Sequence, residues 1–137
     1  MVTAHRYLAI SIIAAFLVVA VYGGLARLLR RPQVGRPFWG LQYYTETVLL
    51  VQVVVGVVLL VIGHRVPSGS LNWLHYFYGS LFPLIAVVAG RIGAIRREGA
   101  GFDYAPVALG AAVAFGLTLR AAMTGCADSP FVCLGLT

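Results

Sequence analysis

Four long, predominantly apolar stretches, at about residues 4–27, 38–63, 71–94 and 104–124, limit what this chain can fold into. Each reaches or exceeds the ~20 residues that an α-helix needs to cross a hydrocarbon core about 30 Å thick. Within hydrocarbon every backbone N–H and C=O must find a partner inside the protein, which restricts such stretches to helices. Of 137 residues, 61% are hydrophobic and 10% charged, with no lysine, which is more apolar surface than a soluble domain of this size can hide. The expectation is one all-α domain over residues 1–137, an integral membrane antiparallel four-helix bundle with both termini outside and a short cysteine-bearing outer tail.

The first stretch invites comparison with a signal peptide, since Arg6 precedes a long apolar run. That run is longer than the usual ~7–15-residue signal core and ends in Gly23-Gly24-Leu25-Ala26-Arg27 without a convincing cleavage site, so it is read as a retained helix. Arg31-Pro32-Gln33-Val34-Gly35-Arg36-Pro37, Pro67-Ser68-Gly69-Ser70 and Glu98-Gly99-Ala100-Gly101 punctuate the connections. Short connections favour up-down neighbours. Gly56, Gly79, Gly90, Gly110 and Gly116 fall inside the stretches, where small residues permit close helix contact.

Arginine gives the expected orientation. The connection after the first helix carries Arg27, Arg30, Arg31 and Arg36, and the one after the third carries Arg91, Arg96 and Arg97. The positive-inside rule places both in the cytoplasm of a prokaryotic cell, with the histidines and cysteines outside and Trp73 as an interfacial anchor. The net charge of +6 is therefore a topology signal whose partner is the lipid bilayer. The arginines are dispersed and no basic aromatic surface accompanies them, so no nucleic-acid partner is expected.

His5, His64 and His75 all fall at one end of this arrangement. His5 opens the first helix, His64 closes the second, and His75 stands about one turn into the third. The first and third helices run in the same direction, so His5 and His75 can face each other and ligate a haem iron from both sides, which favours electron transfer over oxygen binding. His64 is the weaker alternative ligand. Gly79, one turn beyond His75, removes a side chain where a porphyrin needs room. The competing explanation is that each imidazole simply sits at the membrane interface, and His64, beside Gly63 and Arg65, fits it best. Arg6, Arg65 and Arg120 lie at the same end and can pair with haem propionates; for Arg120, snorkelling to lipid headgroups is the equal alternative.

Cys126 and Cys133, with six residues between them, form either a structural disulfide or a redox-active pair. With no histidine nearby in sequence they do not make a zinc motif. Glu46 lies about 25 Å of straight helix from the histidine end. A proton path, a quinone pocket, a subunit contact and a hydrogen bond to a neighbouring helix are all open for it. Phosphate loops, nucleophile elbows and zinc-protease motifs are absent.

His5-Arg6 opening a helix, then Gln52 and Gly56 in Val51-Gln52-Val53-Val54-Val55-Gly56-Val57-Val58, then Leu74-His75 opening the next, resemble three consecutive helices of one four-helix half of a haem A synthase. Thr124-Gly125-Cys126 through Cys133 is similar to that family's outer cysteine pair, read from a shifted start of the repeat. The resemblance implies axial haem roles for His5 and His75 and a paired role for Cys126 and Cys133. The family's haem-modifying enzymes place a glutamate three residues before the first histidine, and Val2 stands there in this chain, so the catalytic carboxylate is not carried over. The expected function is a membrane b-type haem protein for electron transfer or haem handling near the outer face, with homodimerisation as one way to complete a half-sized unit. The alternatives are a non-catalytic subunit or assembly factor of a respiratory or other membrane complex, and a quinone-linked thiol oxidoreductase.

Overall fold

The protein is described by a computed structural model over residues 2–66 and 73–125. All regular structure among these residues is helical, in four helices long and apolar enough to cross a membrane. They are α1 (Val2–Leu28), α2 (Arg36–Val61), α3 (Trp73–Ile95) and α4 (Tyr104–Gly125). Cys126 and Cys133 lie outside the described residues.

Local chemistry sets the ends. Pro37 sits in the first turn of α2, where its missing N–H is no loss and its fixed φ suits a helix. At the other end of α2, Gly63 adopts φ +87°, and the N–H groups of Gly63 and His64 donate back to Leu60 O and Leu59 O at 3.1 and 2.9 Å. This left-handed closure ends α2 two residues earlier than the hydropathy suggests. His64 consequently stands after the helix rather than closing it, and is exposed. α1 ends in the same way, with Arg31 N–H on Ala26 O and Arg30 N–H on Arg27 O, but the left-handed position there is Arg30 at φ 53°.

Each helix buries one narrow stripe and leaves the remainder to lipid. On α1 the stripe is Ile12, Ala15, Phe16, Val19, Gly23 and Ala26, and on α2 it is Phe38, Gln42, Thr45, Leu49, Gln52 and Leu59. The α2 stripe steps by alternating fours and threes, the seam of coiled-coil packing. Three of its six members are polar, a costly choice in a membrane interior. α4 is the centre of the fold, packing along both α1 and α3, while α2 leans on α1 and approaches α3 most closely near Phe77–Leu81.

The α3–α4 crossing depends on missing side chains. A Cβ on Gly110 would lie 2.6 Å from the backbone oxygen of Ala86, and one on Gly90 would lie 3.0 Å from Pro106 O. Gly116 faces open space and has no such role. Gly110→Val is expected to push α3 and α4 apart at a cost of about 1–3 kcal/mol, read as a lower melting temperature in detergent. Gly116→Val serves as the comparison and should leave that temperature nearly unchanged.

At the end carrying most arginines, an aromatic and backbone cap joins two connections. Tyr104 Oη donates to Arg31 O at 2.6 Å, Phe102 N–H donates to Pro32 O at 2.8 Å, and the Arg27 guanidinium lies 4.2 Å above the Phe102 ring. Phe38 is fully buried and packs edge-on against Tyr22, Trp39 and Tyr104.

Candidate functional site at the histidine end

His5 reaches the interior by ordinary helical periodicity. Steps of three and four residues back from Ile12 along the α1 stripe pass Leu8 and arrive at His5. Its ring meets α2, with Nε2 3.3 Å from Gln52 Nε2 and Cε1 beside Gly56, where a Cβ would lie 3.4 Å away.

His75 reaches the interior by a device. The inward stripe of α3 is Pro83, Val87, Gly90 and Ala94, and regular helical steps back from Pro83 lead to Tyr76, not His75. Residues Phe77–Leu81, however, form a π-helical turn in which Phe82 N–H donates to Phe77 O, five residues back. Pro83 offers no N–H to the α-ladder, which favours such a widened turn just before it. The one extra residue turns the preceding segment by about 100° and exchanges Tyr76 for His75 on the inward face. Ser80 Oγ donates to Tyr76 O within the turn, and Tyr76 Oη accepts from Val66 N–H at 3.4 Å, away from the bundle stripe.

The hydrogen bond made by His75 selects its tautomer. Nδ1 lies 2.8 Å from the backbone oxygen of Ala121 on α4, and a carbonyl only accepts, so Nδ1 carries the proton. Nε2 is left with a lone pair and no hydrogen bond among the described residues. Gly125 makes room for the ring, since a Cβ there would lie 2.7 Å from its Cε1. Gly79 instead faces α4, where a Cβ would meet Ala121 at an ordinary 3.6 Å.

Among the described residues no group of three or more His, Cys, Asp or Glu side chains gathers as a metal site. A protein-only zinc site needs three or four such ligands, whereas a haem iron needs one or two. His64, Arg65, Arg6 and Arg120 are all exposed, and none of the three arginines forms an ion pair among the described residues.

A second polar constellation was only half legible in the sequence. Arg91 belongs to α3 itself and not to the connection after it, because Ile95 and not Arg91 ends the helix. Its Nε and Nη2 donate to Glu46 Oε1 and Oε2 at 2.7 and 2.9 Å, a bidentate pair, and Gln42 Nε2 donates to the same Oε1 at 2.8 Å. The Tyr43 ring stacks 4.6 Å below the guanidinium. The pair closes one end of a lipid-facing slot of about 250 Å³ between α2 and α3, lined otherwise by aliphatic residues such as Leu49, Leu84 and Val87. Of the roles open to Glu46, the described contacts supply the bond to a neighbouring helix, in the stronger form of an ion pair.

No family model, curated protein or solved structure matches this chain.

Proposed function

We propose that the protein is a small membrane haem b protein in which His5 and His75 ligate the iron from opposite sides, for electron transfer or haem handling near the outer face. One observation carries this reading: His75 is turned inward by a π-turn, and the Ala121 carbonyl holds its proton on Nδ1 and leaves Nε2 without a hydrogen bond among the described residues. A histidine ligand whose other nitrogen donates to a carbonyl is the usual orienting arrangement at metals, and it makes the imidazole a stronger donor.

His5 and His75 are the residues that would hold the iron, and a bound haem would supply a one-electron couple there. The chain's own part is to fix two rings, exclude water from them with α1–α4, and offer exposed Arg6, Arg65 and Arg120 at that end for the propionates. In this reading the helices alternate in direction, both termini lie outside, and the arginine-rich connections after α1 and α3 face the cytoplasm of a prokaryote. The start of α1 meeting the late part of α2, and the start of α3 meeting the end of α4, support the alternation. The chain would then represent one half of a haem A synthase-like unit that binds haem without modifying it, since Val2 occupies the place of the family's glutamate.

The test is purification in mild detergent followed by oxidised and reduced absorption spectra and a pyridine haemochrome assay. Near-stoichiometric low-spin haem b is expected. A folded, haem-free protein from haem-replete cells would overturn the reading.

A further inference from the structure

The gap between α2 and α3 is closed at one end by charged groups. α2 packs along α1 and approaches α3 closely only near Phe77–Leu81, while the Arg91–Glu46 pair joins the same two helices further along. The slot of about 250 Å³ lies between these two points, with aliphatic walls that include Leu49, Leu50, Leu84 and Val88. Leu50 and Val88 are more than half exposed, so the slot is open to molecules dissolved in the hydrocarbon of the bilayer.

Arg91 brings unused donors to this slot. Its Nε and Nη2 are engaged with Glu46, whereas Nη1 makes no hydrogen bond among the described residues. The guanidinium is held in place by the two bonds to Glu46 and by the rings of Tyr43 and Trp39, centred 4.6 and 5.7 Å from Cζ. An unmet N–H is costly where no water is at hand, so an acceptor oxygen entering the slot gains a charge-assisted hydrogen bond from a donor that is already fixed.

Charge and depth select the acceptor. The Glu46 carboxylate already balances the guanidinium, so an anionic phosphate would meet a like charge at close range. Glu46 also stands ten residues into α2, about 15 Å of helix from Arg36, whereas phospholipid headgroups stay outside the hydrocarbon core. A neutral carbonyl on a molecule that dissolves in the bilayer meets both conditions. The volume is below the ~300–1,000 Å³ of sites that enclose a whole drug-sized ligand, which suits one ring with its chain left in lipid.

We propose that the α2–α3 slot binds the ring of a membrane quinone, one ring carbonyl accepting from Nη1 of Arg91 and the apolar chain leaving past Leu50 and Val88. The site uses none of the residues of the histidine end and does not depend on the haem reading.

The experiment titrates decylubiquinone into detergent-purified Trp73→Phe protein, in which Trp39 is the remaining tryptophan. A quinone ring quenches a nearby indole, and Trp39 lies beside Arg91, so saturable quenching of Trp39 fluorescence is expected. Two variants are compared in the same background. Arg91→Leu combined with Glu46→Leu removes the donor and keeps the slot apolar, and should weaken binding about tenfold or more, as expected for a lost hydrogen bond to a charged group. Val88→Phe fills the slot from a lipid-exposed position that folding does not depend on, and should weaken binding at least as much. Quenching that rises without saturation, or that saturates alike in wild type and both variants, would overturn the proposal. Displacement of the probe by phosphatidylglycerol would overturn it too, by giving the slot to a phospholipid.

Discussion

Replacing Arg91 with leucine will strongly destabilise the protein, and adding Glu46→Leu will recover most of the loss. Arg91 and Glu46 hold each other through two charge-assisted hydrogen bonds, with about a quarter or less of either side chain exposed. Removing one partner leaves a charge in a low-dielectric setting, which costs about 3–5 kcal/mol at buried sites. Replacing both leaves an aliphatic slot matching its Leu49, Leu84 and Val87 lining, and apolar replacement of a whole buried pair is often neutral. Denaturation in detergent of the two single variants and the double variant gives the coupling directly. Additive losses would mean that the pair does not hold α2 to α3.

The second large effect concerns the register of α3. His75→Ala should abolish the bis-imidazole spectrum, and the exchange His75→Tyr with Tyr76→His should abolish it as completely, although a histidine remains one residue away. The π-turn at Phe77–Leu81 assigns the inward place to residue 75, so a histidine at 76 points about 100° away from the direction His75 takes. Adding Pro83→Ala to the exchanged variant restores an N–H to the ladder, and closure of the π-turn brings residue 76 inward. Partial recovery of low-spin haem is the expected result, measured by reduced-minus-oxidised spectra. A fully retained spectrum in the exchanged variant would show that α3 does not fix the ligand's direction.

The four spans and their approximate ends were legible because hydropathy and helical rise are properties of sequence alone. The inward direction of His5 was legible too, since α1 is regular from Val2 to Leu28. His75 was different: its face depends on a one-residue phase change, and the only written trace is that Pro83, Val87, Gly90 and Ala94 extrapolate to the neighbouring tyrosine. Arg91 was misplaced for a related reason. An arginine four residues from a helix end resembles a loop charge until its partner is known, and Glu46 lies 45 residues earlier in the chain. Gln52 had a place in a resembling motif but no role, because its contact with His5 becomes visible only when the two helices are in position. The early end of α2 was available in principle from Gly63, the residue best able to adopt the left-handed closure found there.

The central claim is that one iron is held by two imidazoles from two helices. Near-infrared magnetic circular dichroism of the oxidised, detergent-purified protein tests it most directly, because the energy of the low-spin ferric charge-transfer band distinguishes two nitrogenous axial ligands from mixed or single ligation. The account predicts a bis-histidine band in wild type that disappears in both His5→Ala and His75→Ala. A band of another ligand pair, or one that survives in either variant, would contradict it.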